Sequence, residues 1–339
     1  MKKLFQLLLF FSMLIFIFFL PLVSVPVKMG VTSGIDICLN ELIPSLFPFL
    51  FFSSLIYFYG GGFLSSISAP LLCPLFKISK NACPAVISGI LGGFPSGAAI
   101  AAELYKDGKI SKSEAERLPV FCNNAGLMFT VGTLGTGHFD SFKTGVIIYL
   151  FHIFSSFVAG VLTSSSAKQT CSFKKNDKIQ PILSPLPEAF TKAVFRAISS
   201  MALISGNFII FKVISSVFSV FFKDSMLKSF IFGLLEVTGG ALSMPKSNTG
   251  IILSLFLLSF NGICVHTQTL SYFSPLKLSV KKYIKWKLFC AFLSSFLMKI
   301  ALPTESFSTI EFPSMVFYVI VVLLPLLFLV PKKQKSRMW

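Results

Sequence analysis

The chain has 339 residues, 54% of them apolar and 41 of them Phe, with 13% charged and a mean hydropathy of +0.81. Soluble domains carry about a quarter charged residues, so this composition excludes a water-soluble globular protein and makes lipid the solvent. The net charge of +17 does not point to nucleic acid, because the basic residues lie between apolar runs and no solvated domain presents them as a patch. Runs of about 20 apolar residues suffice to cross a bilayer core as helices, whereas barrel strands would show short alternation. The expected class is therefore an all-α polytopic membrane protein with about eight spanning helices.

The N-terminal stretch "MKKLFQLLLFFSMLIFIFFLPLVSV" resembles a signal peptide. Its apolar run exceeds the usual 7–15 residues, and the reading taken here is a retained first span at 4–23, in a segment 1–30. Further spans are expected at 42–61, 144–163, 200–221, 249–270, 284–302 and 313–331, with a broken span at 118–137. The seven Cys are scattered and never in CxxC, which argues against a zinc site or a disulfide framework.

The stretch "GILGGFPSGAAIAAELYKDGK" (89–109) is the most informative local feature. It reads as an apolar helix interrupted by Gly92, Gly93, Phe94, Pro95, Ser96 and Gly97. A re-entrant hairpin over 82–105 and a kinked continuous helix both fit the local pattern. Loop charge separates them. With Lys2 and Lys3 inside and 82–105 as a hairpin, 23 of the 30 basic residues fall inside, Lys285 and Lys287 among them, 6 fall outside, and Lys212 lies within a span. A full span there would place the two most basic central loops outside, against the positive-inside rule. The patch "YKDGKISKSEAERL" then reads as a solvated loop with a capping box, Ser111 with Glu114.

A second hairpin is expected at 229–246, so the chain reads as an inverted repeat. Segment 31–166 holds a span, the hairpin 82–105, the broken helix 118–137 and a span. A linker at 167–187 leads to 188–303, with a span, the hairpin 229–246, the broken helix 249–270 and a span. Residues 304–339 hold the last span and a basic tail, and both termini are expected on the cytoplasmic side. Inverted repeats with discontinuous helices are a mark of secondary transporters.

Hairpin arms of 8–12 residues extend about 12–18 Å, roughly halfway across the core, so the tips 93–97 and 237–240 are expected near the midplane. Gly93 and Gly97 permit close approach, Pro95 suits a helix start and Ser96 can cap. Asn123, Asn124 and Gly126 interrupt the following span, and Asn261, His266 and Gln268 do so in the second half. Amides both donate and accept, so they serve either a solute or freed backbone, or simply join helices. Glu236, in "FGLLEVTGG", is a buried carboxylate and a functional candidate by its position; it suits a proton, Na⁺ together with Thr238, or a solute hydroxyl. The expected substrate-binding set is thus Gly93, Pro95, Ser96, Gly97, Asn123, Asn124, Gly126, Glu236, Thr238, Asn261 and Gln268. His138 and His152 stand isolated, with no second ligand at metal spacing, so no metal site is expected; no organic cofactor is expected either, and H⁺ or Na⁺ coupling is left open. No Ser/His/Asp group, Walker loop or HExxH occurs, so the expectation is a non-enzyme; Cys122 and His266 are the loose candidates for the contrary.

The stretch 92–139, "GGFPSGAAIAAELYKDGKISKSEAERLPVFCNNAGLMFTVGTLGTGHF", resembles the core of the YlbJ/SpoVV family of sporulation integral membrane proteins. That family belongs to the nucleoside-recognition, or Gate, domain group, distantly similar to concentrative nucleoside transporters. The resemblance runs from about Gly34 to Ala301 and is looser at "LLEVTGGA" and "SFNGICVHTQ". It implies a multi-pass membrane protein of a spore-forming bacterium that moves dipicolinic acid across the outer forespore membrane into the forespore. It carries over Gly93, Pro95 and Gly97, then Asn123, Asn124 and Gly126, then Glu236, Asn261 and Gln268. Two positions depart: Ala99 stands where the family commonly has Lys, which removes one cationic partner for a carboxylate, and Leu127 where it commonly has Pro. Uptake of nucleosides or nucleobases and a non-transporting scaffold for the spore envelope are the alternatives. The expected partners are a small anionic or nucleoside-like solute, the lipid bilayer and, by analogy with related transporters, further copies of the chain.

Overall fold

The computed structural model describes residues 2–164, 183–219, 226–276 and 281–302; these form helices joined by short breaks and loops, with no strand among them. The expected span 313–331, the basic tail, Lys277 and most of the linker (165–182) lie outside the described residues. A nearly unbroken helical run leads from the N-terminus to Phe76. It comprises α1 (Lys2–Phe19), a short 3₁₀ turn, α2 (Ser24–Ile37), a π-helical turn (Cys38–Leu42) and α3 (Ile43–Phe76). The backbone leaves helical geometry at Gly60 inside α3, and Pro48, Pro70 and Pro74 lie within the same helix.

The interrupted stretch forms a pair of short helices, α4 (Cys83–Leu91) and α5 (Ser96–Lys106), joined at 92–95. Then come α6 (Lys112–Cys122), a break at 123–127 in which 123–126 leave helical geometry, a π-helical segment (Met128–His138) and α7 (Phe142–Ser164). The expected capping box starts α6: Ser111 Oγ accepts from Glu114 N–H at 3.2 Å, and Glu114 Oε2 accepts from Ser111 N–H at 3.0 Å. Glu114 Oε1 also accepts from Ser79 N–H, so this box ties α6 to the end of α3.

The second part runs α8 (Leu186–Ser219), α9 (Met226–Leu235), α10 (Val237–Leu242), α11 (Asn248–Phe260), α12 (Gly262–Phe273) and α13 (Lys281–Ala301). Here α8 begins 14 residues before the expected span, because its first turns dock on the first part. Arg196 pairs with Glu103 of α5 and lies over the rings of Tyr57 and Phe58, 5.2 and 4.5 Å from their centroids. Farther along, Gly30 of α2 lets the α8 backbone come close: a methyl there would sit 2.8 Å from Val213 Cα.

Among the described residues, four helical stretches are long and apolar enough to cross a membrane: Gln6–Phe76, Phe142–Ser164, Leu186–Ser219 and Asn248–Phe273. Large apolar side chains such as Phe18, Phe52, Phe195, Phe292 and Phe296 project outward from α1, α3, α8 and α13. In water these faces would be costly at about 25 cal/mol per Å²; against acyl chains they are not.

Two apolar cores hold the helices together. One gathers Leu42, Phe129, Phe151, Phe208, Leu255 and Met298, the other Phe76, Ile100, Leu118, Phe121 and Tyr283. The chain passes from one to the other at Asn123–Asn124, with Cys122 in the second core and Ala125 in the first.

Candidate functional site

The break after α6 sits where two short helices approach it. A methyl on Gly97 would run into the main-chain oxygen of Cys122, and so would one on Gly89. Gly93, at φ +72°, packs on Gly126. These glycines thus serve backbone-to-backbone contact between the α4–α5 pair and the break. Pro95 stands at the N-cap of α5 without a side-chain cap, and Ser96 Oγ is buried with no hydrogen-bond partner among the described residues.

Unwinding 123–127 frees backbone groups that must be paired in a dry interior. Phe94 N–H donates to Asn124 O at 2.6 Å, and Asn124 Nδ2 donates to Phe121 O at 2.8 Å. Ala125 N–H donates to His152 Nε2 at 2.8 Å. Because Nε2 accepts there, Nδ1 carries the proton of a neutral imidazole and donates to Ser259 Oγ at 2.9 Å. Ser259 Oγ also accepts from Ser294 Oγ at 2.9 Å, and Asn124 Oδ1 accepts from Ser156 Oγ at 2.7 Å.

Asn123 O is the centre of this knot. It accepts from Asn261 Nδ2 at 3.1 Å and from Lys287 Nζ at 2.6 Å. Asn123 Nδ2 donates to Thr269 Oγ1 at 2.7 Å and Tyr283 OH at 3.0 Å. Asn123, Asn124, Asn261 and Lys287 are all fully buried. Their amide donors go to protein, whereas Asn123 Oδ1, Asn261 Oδ1 and Gln268 Oε1 find no hydrogen-bond partner among the described residues.

Lys287 corrects the charge count. Read from sequence as one of the inside loop lysines, it is wholly buried and its ammonium is committed to Asn123 O and, at 3.4 Å, Asn124 Oδ1. The signal was there: it lies three residues inside the expected span 284–302. His152, dismissed as an isolated histidine, is likewise a network residue. Cys122 and His266 are both buried; the imidazole lies edge-on to Phe260 and Tyr283, and neither ring nitrogen has a hydrogen-bond partner among the described residues.

Glu236 forms a second centre. It is the extended residue between α9 and α10, and its two carboxylate oxygens accept from Thr238 N–H at 2.7 Å and Gly239 N–H at 2.6 Å. The half-helix start expected to greet a solute is therefore already capped by the chain's own carboxylate. Glu236 borders two spaces. On one side is a vestibule of about 640 Å³ that Lys212, Lys228 and Gly239 also line. On the other is an inner cavity of about 20 Å³ between Phe94, Gly126, Phe129, Thr238, Cys264 and Gln268. Gly126, Glu236, Thr238 and Gln268 of the expected set thus meet at one cavity, and Asn123, Asn124 and Asn261 meet in the knot.

Outward apolar faces around a buried polar interior define a multi-pass helical membrane protein. Over 291 residues the chain is 23% identical to "Sporulation integral membrane protein YlbJ" of Bacillus subtilis (strain 168), covering 74% of this chain and 71% of that protein. This supports assignment to the YlbJ family, as the motifs in 92–139 implied. No family model matches the chain, and no solved structure matches it.

Proposed function

We propose that this chain is a membrane transporter or facilitator for a small anionic solute in sporulation. Dipicolinic acid is the solute that the YlbJ resemblance favours, and the outer forespore membrane the location. In this reading α4–α5 and α9–α10 are re-entrant hairpins of an inverted repeat within an eight-span chain, with both termini cytoplasmic. The vestibule beside Glu236 then opens away from the cytoplasm. Solute reaches the space between the hairpins as they move against the flanking spans.

One observation carries this reading: a buried carboxylate, Glu236, stands between an open vestibule and an inner cavity to which both halves contribute. A cavity of about 20 Å³ has room for one water. The conformation is therefore closed to an aromatic dianion, and passage requires the hairpins to part. No covalent chemistry enters this reading, and any coupling to H⁺ or Na⁺ would act at Glu236.

A scaffold role in spore-envelope assembly is favoured by a different observation, that the side-chain amide nitrogens of Asn123, Asn124 and Asn261 all donate within the protein. Flux separates the two. Purified protein in liposomes should take up labelled dipicolinate, with Glu236→Gln changing the rate. Uridine uptake instead of dipicolinate would move the reading to nucleoside transport. No flux of either solute by folded protein would leave the scaffold.

A further inference from the structure

The vestibule has features that its role as an opening does not require. Its walls come from α2, α8, α9 and α10, and Lys212, Lys228 and Glu236 are the charged groups among the described residues that line it. Six serines also line it, of which Ser216, Ser219 and Ser243 donate to main-chain oxygens. Ser215 Oγ has no hydrogen-bond partner among the described residues. Lys212 stands well inside the apolar helix α8, where an ammonium is costly unless paired or facing a polar space. Both Lys212 and Glu236 face Gly239: a methyl there would lie 2.9 Å from Glu236 Oε2 and 3.5 Å from Lys212 Nζ.

We propose that this vestibule is an exit-side binding site for a small aromatic dicarboxylate, with Lys212 as its charged anchor and the Glu236 carboxylate as an intramolecular competitor for that lysine. The inference deepens the transporter reading and rests on it. The volume of about 640 Å³ lies in the range that encloses small organic ligands. Cation and hydroxyl donors on α8 suit a carboxylate, whose charge-assisted hydrogen bonds are stronger than those of a neutral solute. The solute's carboxylate takes the place of Glu236 beside Lys212, and the like charge of the two carboxylates drives Glu236 from the wall it shares with the inner cavity. Lys212 is thus a specificity residue that sequence reading left as a lone lysine within a span.

The test is equilibrium binding of dipicolinate, and separately of phthalate, to the purified full-length protein in nanodiscs. Lys212→Met should weaken binding about ten-fold or more, equivalent to about 1.4 kcal/mol, while Lys212→Arg stays within about three-fold of wild type. Glu236→Gln should bind more tightly than wild type, since the competing charge is gone. Lys212→Met binding like wild type, or Glu236→Gln binding more weakly, would overturn the proposal while leaving a transporter reading based on flux intact. Phthalate binding without dipicolinate binding would keep the site and remove the solute; binding of neither overturns site and solute together. Should Lys212→Met fail to fold, the thiol introduced by Ser243→Cys, at an exposed position of the vestibule wall, provides the second measurement. Either dicarboxylate should slow its labelling by a charged thiosulfonate, and no protection would sink the proposal.

Discussion

The ammonium of Lys287 reaches the main-chain oxygen of Asn123 at 2.6 Å, across 164 residues of sequence. The same oxygen takes Asn261 Nδ2 at 3.1 Å, so α13 and the α11–α12 break both converge on one carbonyl that the end of α6 has left free. A buried unpaired carbonyl is costly in an apolar medium, and here the second part of the chain pairs it. The two halves are joined by the unwinding itself.

Lys287→Met keeps the length of the side chain and removes its donors. Asn123 O retains one partner and Asn124 Oδ1 retains Ser156, but the cationic bonds go, at a cost of about 1–3 kcal/mol. The expected result is a clear fall in Tm in detergent, with flux reduced in parallel. A Tm equal to that of wild type would show that the knot does not hold the halves together.

His152→Ala should also destabilise. It leaves Ala125 N–H without its acceptor and Ser259 Oγ with Ser294 alone, again about 1–3 kcal/mol for a buried donor left unpaired. Thermal unfolding beside Ser156→Ala, which removes only one donor to Asn124 Oδ1, should rank His152→Ala as the more damaging.

Gly97→Ala places a methyl against the carbonyl of Cys122. Backbone cannot give way as a flexible side chain can, so α5 must leave its seat; the yield of monodisperse protein on size exclusion should collapse. Gly206→Ala is the control. It lies within α8 with nothing inside 4 Å of the added methyl, and replacing a helical Gly by Ala stabilises by up to about 1 kcal/mol.

At Glu236 the two roles separate by substitution. Glu236→Ala removes the cap from Thr238 and Gly239 and should cost about 0.5–2 kcal/mol. Glu236→Gln retains one acceptor oxygen, so its Tm should fall less while its flux still changes. Equal flux in wild type and Glu236→Gln, with both folded, would remove Glu236 from the pathway.

Much of the architecture was legible because it rests on local conformational signals. Apolar runs mark helices wherever lipid or a dry interior surrounds them. The interruptions at 92–95, 123–127, Glu236 and Asn261 appear where Gly, Pro, Asn or a lone acid stands in an apolar stretch. Asn261 adopts φ +80°, a left-handed conformation that Asn tolerates. Ser111 and Glu114, three residues apart, announce their cap.

What a side chain faces is another matter, since it depends on which helix lies opposite and at what depth. Lys287 looked like a loop charge because charge alone shows side, not burial. His152 looked isolated because Ala125 and Ser259, 27 and 107 residues away, meet it only in the folded chain. Composition and helix-breaking residues, by themselves, determined an all-helical membrane protein and the places where its helices break. Only tertiary packing decided that Asn123, Asn261 and Lys287 share one carbonyl, and that Glu236 and Lys212 meet across Gly239. Such pairings are set by helix rotation and register between distant segments, which local residue patterns leave open.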